Sequence, residues 1–145
     1  MSLKFFDTNF DELSSSNPLW TAHNGYYGDA SEVQFFVRND SANHYYQQIQ
    51  VQLTSSGSYD VTGEYGTSGW SFKLIPGSRR PTEKEWDAAT NMAPVVLGSL
   101  GDTDAGDTTT LLSVWLRVFV PGRTPAQYRN NYVLTLSAQE KVVGS

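Results

Sequence analysis

Three carboxylates fall within six residues at Asp102-Thr103-Asp104-Ala105-Gly106-Asp107. The chemistry such a run could do is cation binding. Ca²⁺ takes six to eight oxygens, and Asp-x-Asp spacing brings two carboxylates toward one point. The run lacks the spacing and the terminal Glu of an EF-hand loop, and solvated acidic loops with Gly are common. No metal and no cofactor are expected, with Asp102, Asp104 and Asp107 as the weak candidates.

Other chemistry is thinner. The chain has no Cys, which removes disulfides, zinc–thiolate sites and a thiol nucleophile and fits assembly in a reducing compartment. His23 and His44 lie in turn-rich segments beside Asn and Tyr, and no Ser sits in a G-x-S-x-G elbow. A serine nucleophile therefore has no base in a recognisable setting. Glu83 and Glu85 fit a helix start, and Asp40 and Asp60 fit turns. A glycosidase pair brought together across a fold would not show in sequence spacing. The chain is expected not to be an enzyme. Tyr26, Tyr27, Tyr45, Tyr46, Trp70 and Trp86 could stack on sugar rings, although such aromatics more often fill a core or an interface. A carbohydrate-binding module stays open as an alternative.

The elements that would position these residues are mostly strands. The chain of 145 residues has the length of one domain, and its few charges and many aromatics argue against disorder. In "EVQFFVRND", Val33, Phe35 and Val37 alternate with Gln34, Phe36 and Arg38. In "YYQQIQVQLT", Ile49, Val51 and Leu53 alternate with an uncharged row of Gln48, Gln50 and Gln52. "WSFKLIPG" sets Trp70, Phe72 and Leu74 against Ser71, Lys73 and Ile75, with Pro76-Gly77 as its stop. A short strand is expected at Tyr59–Val61 within a loop-like stretch, and another over Val95–Leu97. One helix is expected near residues 82–89, opened by a capping box of Thr82 and Glu85 and anchored by Trp86. Short strands with one small helix describe an all-β sandwich.

Residues 1–30 show no sustained period yet are rich in aromatics. They form either an irregular first strand on the sheet of residues 31–145 or an arm that docks on a neighbour. "VWLRVFVPGRTPAQYRNNYVLTL" poses the sharpest question. Val114, Leu116, Val118 and Val120 fit a core face, but Trp115 and Phe119 make the other face apolar too. Cover from residues 1–30 or from the region of Trp86 is favoured over cover by another subunit. Phe5, Phe6, Phe10, Trp20, Trp115 and Phe119 are the candidate interface residues.

The net charge of −5 disfavours phosphate backbones, and Arg79-Arg80 alone makes no nucleic-acid patch. The opening "MSLKFFDTNF" has no signal-peptide core, and no apolar run reaches the roughly 18 residues of a membrane span. Neither nucleic acid nor membrane is an expected partner, and folding in the cytosol is expected.

"LRVFVPGRTPA" and "YVLTLSA" resemble immunoglobulin-like accessory domains, which carry a V-x-V-x-V-P strand, a Pro/Gly/Thr turn and an L-T-L-x-A-like last strand. Leu116 stands where the first Val would be. "FFVRND", "GWSFKLIPGSRRPTEKEWDA" and "VWLRVFVPGRTPAQ" are more similar still to small virion proteins of tailed bacteriophages. That resemblance covers residues 31–140. It implies an immunoglobulin-like sandwich repeated on a particle, made in the host cytoplasm without a signal peptide and located in the virion. It also implies a capsid cement or decoration role, homo-oligomers (a trimer first), and contacts with the major capsid protein or other virion proteins. A tail, neck or baseplate component is the alternative. The class has no defining active site, so no functional residue carries over.

Overall fold

The computed structural model describes residues 1–14, 16–19, 21, 29–55, 71–120 and 132–144. His23, Tyr26, Tyr27, Trp20, Trp70, the expected strand at Tyr59–Val61 and the turn from Pro121 to Pro125 lie outside these residues.

Seven strands and one helix are described: β1 (Leu3–Phe6), β2 (Asp29–Asn39), β3 (His44–Ser55), β4 (Ser71–Pro76), α1 (Glu83–Ala88), β5 (Val95–Leu100), β6 (Leu112–Val120) and β7 (Tyr132–Val142). They form two antiparallel sheets, β1-β2-β6-β4 and β5-β3-β7. The fold is an all-β sandwich. From β2 onward, successive strands alternate between the sheets. The immunoglobulin constant arrangement groups the first, second, fourth and fifth strands. Here, among the described strands, the sixth joins the first, second and fourth, so the immunoglobulin-like order that the resemblance implies is not confirmed.

The core lies between the sheets. Phe35 and Val37 of β2, Phe72 and Leu74 of β4, and Val114, Leu116 and Val118 of β6 meet Ile49, Val51 and Leu53 of β3 and Leu100 of β5. These are the apolar rows of the period-two pattern, and each fully buried side chain stabilises by about 1.5–3 kcal/mol. Residues 3–6 are also part of this fold. β1 pairs with β2 from Leu3↔Asn39 to Phe6↔Phe36, and Phe5 packs edge-on against Phe35 with ring centroids 5.5 Å apart.

Two local devices shape the sandwich. Asn39 is fully buried at the β2–β3 crossover. Its Nδ2 donates to the carbonyls of Ser41 and His44 (2.9 Å each), and its Oδ1 accepts from the Ser41 amide at 2.8 Å. In β3, Gln48 takes left-handed backbone (φ 52°) where the register shifts against β5 and β7. This bulge inserts one residue and reverses the facing of what precedes it. Tyr46 and Ile49 therefore both point into the core, although strict alternation would put them on opposite faces. β5 is longer than expected, running to Leu100 rather than Leu97. No helix among the described residues is long and apolar enough to cross a membrane.

Candidate contact face

The outer side of β1-β2-β6-β4 carries Trp115 and Phe119, and the chain covers both ends of it. Thr82 caps α1 as the spacing predicts: its hydroxyl accepts from the Glu85 amide (3.3 Å), and the Glu85 carboxylate accepts from the Thr82 amide (3.0 Å). Arg79 donates to both Glu85 oxygens at 2.9 and 3.1 Å. The Thr82 amide, then the Arg79 guanidinium, hold the Glu85 carboxyl below its usual pKa. The capped turn places Trp86, 1% exposed, beside Ser71, Lys73, Asp87, Arg117 and Phe119 around a small hollow. The Lys73 ammonium donates to the Trp86 carbonyl (3.1 Å), and Arg117 donates to Glu83 (2.9 Å). At the other end, Phe10 stacks on Phe36 at 5.9 Å and Arg38 lies 4.2 Å over the Phe6 ring.

The candidate interface residues therefore divide. Phe119 (7% exposed) and Phe6 are buried by the chain itself, so neither is available as a surface anchor. Phe5 and Trp115 are half-buried, and Phe10 is exposed. Phe119 is covered by the Trp86 region, one of the two regions that the sequence offered within the chain, while Phe10 of the N-terminal segment stacks on Phe36 at the other end of the face.

The chemical candidates are occupied with structure. Asp102 Oδ1 accepts from the amides of Asp104 (2.9 Å) and Ala105 (3.2 Å). Asp107 accepts from the amides of Thr109 and Thr110 (3.0 Å each) and from both threonine hydroxyls. Its pKa is lowered to about 2, chiefly by the Thr110 hydroxyl and then the two amides. Among the described residues no group of three or more His, Asp and Glu side chains is placed to hold a metal ion. The Ser41 hydroxyl meets His44 Nδ1 at 2.9 Å, but Ser41 also receives the Asn43 amide at 3.3 Å, which closes the crossover turn. Of the possible sugar platforms, Tyr45, Tyr46 and Trp86 are buried and offer no ring face to a ligand. Burial is the main force pushing the Tyr46 phenol pKa up. Its hydroxyl accepts from the Ser2 amide (2.7 Å) and donates to Glu140 (2.8 Å), pinning the N-terminal strand to β7.

The opposite side of the sandwich is different. On the outer face of β5-β3-β7, Gln50 sits between Val96 and Ser137, Gln52 beside Thr135, and Thr54 beside Val133. Gln139 donates to Gln48 at 3.2 Å along the same face. Val96 is 67% exposed and Val133 51%. Apart from Lys141 at one end of β7, these facing rows carry no charge. The Gln row was legible in the sequence. Its neighbours were not, because they depend on which strands flank β3.

No protein-family model matches the sequence, and neither a curated protein nor a solved structure matches it.

Proposed function

We propose that this protein is a non-enzymatic structural component of a tailed-phage virion, of the capsid cement or decoration type, which docks through the outer face of β5-β3-β7. The observation that carries the docking mode is the charge-free row of Gln50, Gln52, Thr54, Val96, Val133, Thr135 and Ser137. Desolvating amides, hydroxyls and valines costs far less than desolvating charges, and interface cores are depleted in charge for that reason. A net charge of −5 elsewhere keeps the free protein soluble. The resemblance to small virion proteins names the class, and many weak copies of one contact on a lattice would give strong overall attachment.

The test mixes purified protein with expanded empty shells. Stoichiometric binding that raises the shell melting temperature supports the cement role. Gln52→Glu should abolish that binding while leaving the free protein's own melting temperature within about 2 °C, since Gln52 is exposed. Binding to purified tails alone moves the role to the tail, and binding to neither overturns the proposal.

A further inference from the structure

Open sheet edges are templates for further strands, and proteins blunt the ones they do not use. Each sheet here has two edges, giving four edge strands: β1, β4, β5 and β7. β1 is four residues long, and residues 12–13 cover its outer side through the Phe6↔Glu12 bridge and the Leu13 amide bonding to the Phe5 carbonyl at 2.9 Å. β4 ends at Pro76 and is covered by residues 91–92. The Phe72 amide donates to Asn91 Oδ1 and the Met92 amide to the Phe72 carbonyl, both at 2.8 Å. β5 is broken by Gly98 at φ 94° and by register shifts against β3. Among the described residues, β7 has none of these devices. It runs for 11 residues without Gly or Pro. Among the described residues, no backbone hydrogen bond from another segment reaches its outer side between Tyr132 and Lys141. Its core-side residues Leu134, Leu136 and Ala138 pack on the core but stay only partly buried.

We infer that β7 pairs antiparallel with β7 of a second copy, joining two sandwiches about a two-fold axis into one continuous sheet, β5-β3-β7-β7-β3-β5. The occupant is identified by self-complementarity. With the axis at Leu136, Leu136 faces its own copy, Leu134 faces Ala138, Thr135 faces Ser137 and Val133 faces Gln139. Apolar residues then continue the core side, and polar ones the outer side. Moving the axis to Ser137 would oppose Leu134 with Glu140 and Val133 with Lys141. In the Leu136 register, the Glu140 side chains lie at opposite ends of the ribbon, so like charges do not meet. Identical strands paired antiparallel make an isologous contact, which closes as a dimer. This replaces the three-fold association expected from the resemblance. The inference does not rest on the virion role.

The test is sedimentation velocity of the whole protein across a concentration series. The wild type is expected to be a dimer. Thr135→Lys with Ser137→Lys places lysine opposite lysine twice across the axis and should weaken the dimer by about tenfold or more, with the far-UV circular dichroism unchanged, since both positions are exposed. Thr135→Glu with Ser137→Lys sets opposite charges face to face and should restore the dimer. A second readout needs no variant: in wild-type protein, amide exchange within residues 133–139 should slow as concentration rises. The inference is overturned by a wild type that stays monomeric or forms trimers, by a doubly lysine-substituted protein that dimerises undiminished, by a charge-paired variant that does not recover, or by exchange indifferent to concentration.

Discussion

Several polar residues among the described ones hold turns. Asp107 illustrates the point. Its run of acidic neighbours suggests a cation, yet its oxygens are taken by the amides and hydroxyls of Thr109 and Thr110. Because folding lowers its pKa from 3.8 to about 2, it contributes stability in full above the unfolded value, and that contribution is lost as pH falls through the folded one. Asp107→Asn should therefore be less stable than wild type at neutral pH. The difference in urea midpoint should close between about pH 4 and about pH 2. A gap that stays constant over that range would contradict the assignment. The sequence showed the carboxylates but not their partners, because an Asp beside threonines reads alike as a ligand and as a turn cap.

At the scale of elements, α1 is the clearest case of local sequence deciding local structure. Thr82 and Glu85 stand at capping-box spacing, and both reciprocal hydrogen bonds form. A helix of six residues cannot hold itself up by such bonds alone. Trp86 supplies the rest by packing against the outer side of β4 and β6. Trp86→Ala should destabilise the domain by about 3–5 kcal/mol, as expected for emptying a buried Trp site. Hydrogen exchange should accelerate first in residues 83–88, with the strands following only at global unfolding. Uniform loss across both sheets would instead make Trp86 a part of the main core. The bulge at Gln48 was invisible to pattern reading for a physical reason. A positive φ is usually announced by Gly or Asn, and here Gln adopts it because the pairing on both sides of β3 holds it there.

For the whole molecule, the sandwich depends on its two facing apolar layers. Leu116 lies in the middle of β6 and is paired on both sides, with Val33 and Leu74. Leu116→Asp removes about 1.5–3 kcal/mol of burial and adds the larger cost of an unpaired charge in the core. The variant should lose the β-sheet circular dichroism of the wild type at 25 °C, and a folded soluble product would overturn the face assignment. The outer sides of the two sheets have separate fates. One carries Phe10 on Phe36 at one end and α1 with Trp86 at the other, whereas the other presents an uncharged row beside a strand that is an edge among the described strands. Attachment and self-association are both proposed for that second sheet.

The sequence by itself determined the class of the fold, the alternating strand faces and helix α1, because period-two burial and capping chemistry act over neighbouring residues. It posed the problem of Trp115 and Phe119 and named the two segments able to cover them. Only the tertiary structure decided that Trp86 packs over Phe119, that Tyr46 turns into the core, and that β7 is an edge among the described strands. Those outcomes depend on which distant strands become neighbours. Strand order is set by the packing of the whole chain, and no local spacing encodes it.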